Sequence, residues 1–246
     1  MSPKDFEELY RKLDVELDDG TSEQVDVHKY QLNGKNNASA LIAKDKLLGK
    51  IQDEHRTTKK DVVVDGDSVI GKKVDIALCF MGKGSPDDLA LTLRLVSRYD
   101  LEEPGDLQGY ADANLGLDCN GFVGNYAKEE GSGLGPSTHI DVFRQQGQLR
   151  TQIEDVDDND VLVWKNTSGG YGHIAIIDDR MYGPWDIDRK IYPQVVVVES
   201  NGSGGLHDSV YTIESAKVDP ATSRTVFTVG RPDGTKHLVY IVNLNL

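Results

Sequence analysis

The sequence predicts an α+β protein, with helices in its first half and an antiparallel sheet in its second. Three observations carry that expectation. Ser85-Pro86-Asp87-Asp88 offers an N-cap serine, a proline at the first helical position and an acid at the third. Apolar runs of strand length succeed one another from Asp160 to Val242. Pro232-Asp233-Gly234 separates the last two runs as a hairpin turn. Helices followed by hairpin-linked strands make an α+β domain.

Taken in order, Pro3 to Leu17 can form a short helix with Phe6, Leu9, Tyr10 and Leu13 on one face. Lys35 to Lys60 is polar and patchily basic, with a short helix expected over Ala38 to Ile51. Residues 1–74 as a whole read as an N-terminal extension or small appendage of unknown role. After Ser85, Leu89, Leu93 and Val96 share a helical face that ends near Tyr99. Glu103-Pro104-Gly105-Asp106 is a turn, and Tyr110 to Leu117 is expected to loop. A helix then runs from Cys119 to about Glu130, stopped by Gly131-Ser132-Gly133. The strands expected are Asp160–Trp164, His173–Asp178, Gln194–Asn201, Val210–Ile213, Thr225–Val229 and Leu238–Val242.

Composition bounds the function. The chain has 246 residues and a formal charge of −14. Nucleic acid and anionic membrane surfaces demand a basic face, so neither is expected as a partner. No apolar run approaches the roughly 18 residues of a membrane-spanning helix, so membrane insertion is not expected. The N-terminus lacks the apolar core of a secretory signal. A cytoplasmic protein, or one exported or delivered without such a signal, is the expectation. The cysteines, Cys79 and Cys119, are too few for a disulfide framework or a zinc site, and no metal or cofactor is expected. The acidic run Glu154 to Asp160 lacks the glycine and terminal glutamate of a calcium loop and reads as solvated.

The chemistry concentrates at Leu117-Asp118-Cys119-Asn120-Gly121-Phe122. A thiol at a helix start faces unpaired N–H groups and the positive end of the helix dipole, and both favour thiolate. Asp118 is the expected N-cap. A cysteine nucleophile needs a base, and the base needs an orienting group. His173 opens an apolar strand just after Gly169-Gly170-Tyr171-Gly172, and strand alternation puts it on one face with Ala175 and Ile177. Glu199 and Asn201, two apart at the end of the valine strand, are alternative orienting groups. The Cys119 N–H is the first expected oxyanion donor, with the Tyr110 hydroxyl a second. Cys79, inside Ile76-Ala77-Leu78-Cys79-Phe80, reads as a core thiol. His28, His55, His139, His207 and His237 read as surface residues, with His139 and His207 the only rivals to His173 as base, and Trp164 and Trp185 as core or groove walls.

These residues line up with a known pattern. Asp118-Cys119-Asn120-Gly121-Phe122-Val123 resembles the Asp-Cys-Ser-Gly-Phe/Leu-Val motif of the NlpC and CHAP cell-wall peptidases and amidases, a papain-like superfamily. Gly172-His173-Ile174-Ala175-Ile176, preceded by Asp160-Val161-Leu162-Val163-Trp164, resembles that superfamily's histidine strands. Val198-Glu199-Ser200-Asn201 resembles the CHAP third-residue segment. Two departures stand out: Asn120 replaces the usual serine, and the glycine pair ahead of the motif is absent. The resemblance implies a papain-like hydrolase domain over residues 75–246, with helices packed on a central antiparallel sheet. It implies a thiol hydrolase that cuts an amide in peptidoglycan, in the stem peptide or its link to sugar. Acyl transfer on the same arrangement, or a binding module without activity, are the alternatives.

Overall fold

The computed structural model describes residues 1–32, 37–64, 66–165, 171–181, 186 and 188–246. Lys35, Gly169, Gly170 and Trp185, which figure in the sequence expectations, lie outside the described residues. In chain order the elements are α1 (Pro3–Arg11), β1 (Leu13–Glu16), β2 (Ser22–Val25), α2 (Ala38–Thr58), β3 (Val63–Val64), β4 (Asp67–Ser68), α3 (Lys73–Cys79), α4 (Pro86–Arg98), α5 (Leu107–Asn114), α6 (Cys119–Glu129) and α7 (Ile140–Gln146). There follow β5 (Gln148–Leu149), β6 (Asp160–Lys165), β7 (Tyr171–Met181), β8 (Gln194–Asn201), β9 (Gly205–Asp219), β10 (Arg224–Gly230) and β11 (Lys236–Asn243). The chain forms two compact units. A barrel unit comprises residues 1–7, 122–199 and 207–246, and a helical unit comprises residues 8–121 and 200–206.

The barrel unit overturns the expected papain-like arrangement of helices on a central sheet. Its strands run in the order β10-β9-β8-β7-β6-β11, and β10 also pairs with β11, so six antiparallel strands close on themselves. The closing strand is β11. One edge runs along β6, from Val239↔Trp164 to Asn243↔Asp160. Its other edge pairs with β10 over Lys236–Val239 and then with β5 at Val242 and Asn243. Closure satisfies backbone groups that an open sheet would leave at its edges. The barrel is filled by side chains at alternate positions: Leu162, Ala175, Ile177, Val195, Val197, Ile213, Phe227, Val229, Val239 and Ile241 are all buried in one cluster. Burying each of these side chains larger than Ala175 is worth about 1.5–3 kcal/mol. The six predicted strands all occur, several of them longer than predicted.

The helical unit holds the predicted Ser85 helix. The Ser85 hydroxyl accepts from the Asp88 N–H at 3.2 Å, and Leu89, Leu93 and Val96 are fully buried. Its neighbour β1 pairs antiparallel with β2, with Leu13 opposite Val25. The helix expected over Ala38 to Ile51 runs on to Thr58 from an Asn37 cap, whose side chain accepts from the Ala40 N–H at 3.1 Å. Of the residues expected to loop, Tyr110 to Asn114 are instead the end of α5, and Leu115 to Leu117 lie beyond it. Asp106 caps that helix by accepting from the Gly109 N–H at 2.7 Å. The Glu103–Asp106 turn is therefore also a helix start. Of the predicted stripe, Phe6, Tyr10 and Leu13 are buried and Leu9 is 41% exposed; the first helix ends at Arg11 rather than Leu17, and Leu13 opens β1.

Candidate active site

One end of the barrel is polar. Along each strand the inward positions continue, at that end, into a residue of the same parity. His173 follows Ile177 and Ala175 on β7, and Glu199 follows Val195 and Val197 on β8. Trp164 lies on β6, Tyr211 on β9, His237 on β11, and Arg231 just past β10. Antiparallel alternation brings these six chain segments to one rim.

Glu199 is the centre of the cluster and is 1% exposed. Its Oε2 lies 2.5 Å from His173 Nε2 and accepts from Arg231 Nη2 at 2.8 Å. Its Oε1 accepts from the Tyr211 hydroxyl and lies 3.7 Å from His207 Nε2. Burial alone would push this carboxyl up. The hydrogen bond and charge of His173, the Tyr211 hydrogen bond and the Arg231 charge outweigh it, and the group is lowered to about 2. Tyr211 is raised by burial and by the Glu199 charge, so it stays a neutral donor. The His173 ring is packed edge-on to Trp164 with centroids 4.7 Å apart. Arg231 is held 5.5 Å from the centroids of both Trp164 and Tyr211. The imidazole is thus fixed by a carboxylate on one nitrogen and an indole against its ring. His237, 6.2 Å from Trp164, is lowered by burial and then by the Arg231 charge.

The cysteine sits in the helical unit. Cys119 is the first residue of α6 and is 6% exposed. Asp118 holds the turn before it: its Oδ1 accepts from the Gly121 N–H at 2.5 Å and from Lys83 Nζ at 2.7 Å, while its own N–H donates to Gly82 O at 3.0 Å. This is the expected N-cap, with a buried ion pair added. Burial raises the Asp118 carboxyl against the opposing pull of Lys83. The preceding residue, Leu117, is bridged to Tyr30 and accepts from the Ser200 hydroxyl at 2.7 Å.

Glycines make this close packing feasible. A Cβ on Gly121 would stand 1.9 Å from Gly82 O, and Gly82 itself has φ +76° with no room beside Gln31 O. Gly121→Ala is therefore expected to destabilise the fold by about 3 kcal/mol from overpacking. Helix propensity alone would make it stabilising by about 1 kcal/mol. The sign of the change in a urea midpoint decides between them.

The structure sorts the expected site residues. His173 and Glu199 are brought together. Asn201 is not the histidine's partner: its Oδ1 accepts from the Ser203 and Gly204 N–H groups and the Ser203 hydroxyl, holding the turn after β8. Tyr110 lies on α5 in a cleft that Cys119 does not line. The tyrosine that feels Cys119 is Tyr30, pushed up to about 12 by burial and then by charge at Cys119 and Asp118. Sequence reasoning missed Tyr211, Arg231, Tyr30 and Lys83. Arg231 had one usable signal, a cation directly before the Pro232-Asp233-Gly234 turn. The others sit on ordinary elements whose neighbours only the fold decides. Cys79 is fully buried, and burial pushes its thiol well up, as expected of a core residue. Among the described residues no group of three His, Cys, Asp or Glu could hold a metal ion, and no helix is long and apolar enough to cross a membrane. No family model matches the chain, and neither a curated protein nor a solved structure matches it.

Proposed function

We propose that this protein is a thiol hydrolase that cleaves an amide bond through an acyl-enzyme on Cys119. The observation that carries the reading is the His173–Glu199 pair: a buried carboxylate, held charged by His173 and then by Tyr211 and Arg231, accepting from one imidazole nitrogen. A carboxylate in that position selects the ring tautomer and stabilises the imidazolium that forms when the ring takes a proton. With Glu199 on Nε2, the other nitrogen, Nδ1, is the one that exchanges protons.

In the reaction, His173 takes the Cys119 thiol proton and the sulfur attacks the amide carbonyl carbon. The Cys119 N–H at the start of α6 stabilises the oxyanion. Tyr30 replaces Tyr110 as the tyrosine assigned to that step. The C–N bond breaks as His173 protonates the leaving amine. Water then attacks the thioester with His173 as base, releasing the acid and restoring the thiol. The motif resemblance supplies the substrate class, an amide of peptidoglycan in the stem peptide or its link to sugar. It rests on the short segments around Cys119, His173 and Glu199 and not on the architecture.

Incubation with purified peptidoglycan, followed by mass analysis of the soluble products, tests the reading. Expected are fragments carrying one new amine and one new carboxylate, released by the wild type and absent with Cys119→Ala. No release by the wild type, or equal release by the variant, overturns it.

A further inference from the structure

We propose that Lys83 is a positioning residue for Cys119: its ammonium balances the buried Asp118 carboxylate, so that an anionic cap fixes the start of α6 without an uncompensated negative charge beside the thiol. The proposal rests on the reading of Cys119 as a nucleophile. It lies wholly in the helical unit, which holds all three residues.

Lys83 is held where it can do this. It lies between α3 and α4, and its N–H donates to Leu78 O at 3.0 Å. The carbonyl of its neighbour Gly82 accepts from the Asp118 N–H, also at 3.0 Å. The ammonium reaches Asp118 Oδ1 at 2.7 Å, and the two side chains are 12% and 5% exposed. The same oxygen accepts from the Gly121 N–H, so the atom that caps α6 is the atom that carries the ion pair. Serine or asparagine caps a helix about as well as aspartate, and a buried ion pair is weak grounds for stability, so capping alone does not account for the pair. The adjacent thiol supplies a reason. Tyr30 is raised by burial and then by charge at both Cys119 and Asp118, so the three share one electrostatic neighbourhood. An unbalanced carboxylate there would oppose formation of the thiolate, because like charges disfavour ionisation. A carboxyl that instead took up a proton, as its burial favours, would leave the cap without a charged acceptor. Lys83 opposes both outcomes. Lys83 and Tyr30 are the titratable groups that the rest of the helical unit sets against this turn.

Iodoacetamide alkylation of the full chain, followed against pH, tests this. Attachment at Cys119 is assigned by mass analysis of its peptide, and Cys79 is fully buried. Lys83→Met is expected to move the midpoint of the rate profile up by about one pH unit, which slows alkylation on the acid side of the midpoint about tenfold. Lys83→Arg keeps the charge and is expected to retain the wild-type profile. Lys83→Met combined with Asp118→Asn, which leaves an uncharged cap, is expected to return close to the wild type. Asp118→Asn alone is expected to move the midpoint down, because the Lys83 cation then acts without its counter-charge. An unmoved midpoint in Lys83→Met overturns the proposal. A double variant displaced as far as Lys83→Met overturns it too, since Lys83 would then act on the thiol directly and not through Asp118. Where Lys83→Met fails to fold, Asp118→Asn decides: a midpoint at or above that of the wild type overturns the proposal. Peptidoglycan release is not read, so failure of the hydrolase reading and failure of this one stay distinct.

Discussion

Cys119→Ala is expected to abolish amide hydrolysis, with a loss on the order of 10³-fold or more, while leaving the melting temperature close to that of the wild type. The nucleophile has no substitute in the proposed reaction, whereas the side chain removed is small and makes no ion pair. His173→Ala is expected to lose activity to a similar extent. The double variant is expected to be no worse than either single one, because nucleophile and base act as one unit. Steady-state rates on a synthetic amide, measured for the four proteins, check this. Multiplicative losses would show that the two residues do not share a mechanism.

Glu199→Gln is expected to have the largest effect on stability. The wild-type carboxylate is held at about 2, below its ordinary value of 4.5. Depression of a folded-state pKa makes the contribution fully present above the unfolded value and lost as pH falls towards the folded one. The window is therefore about pH 4.5 down to about pH 2, and the stability lost across it is about 3 kcal/mol. The glutamine variant lacks the titrating group. It should start lower at pH 7, because Arg231 then faces Tyr211 and Trp164 without its counter-charge, a loss of about 3–5 kcal/mol for a broken buried pair. It should also lose the part of the acid sensitivity that Glu199 supplies. Denaturant unfolding of both proteins between pH 7 and pH 2.5 measures the difference. Parallel pH curves for the two would remove Glu199 from the account.

The strands were legible because β-residues with inward parity repeat every second position, and Ala175 and Ile177 or Val195 and Val197 carry that pattern in plain view. The Ser85 helix was legible from its cap, and the Cys119 helix from the glycine run that stops it. The start of α5 was not, because Asp106 serves both the turn before it and the helix after it. The placement of the tyrosines was hidden for a related reason. Tyr110 is close to Cys119 in sequence but looks into another cleft, while Tyr30 reaches Leu117 through a bridge between distant segments.

By itself the sequence determined the periodic elements and the chemical types in play: a thiol at a helix start, a histidine opening an apolar strand, a carboxylate ending another. Local periodicity and capping are properties of neighbouring residues, so they can be read in order along the chain. The tertiary structure decided the rest. Whether β11 returns to β6 is a long-range pairing with no local signature, and that pairing turned an expected sheet into a barrel. Closure then set Tyr211 and Arg231 beside Glu199, which separated it from Asn201 as the partner of His173.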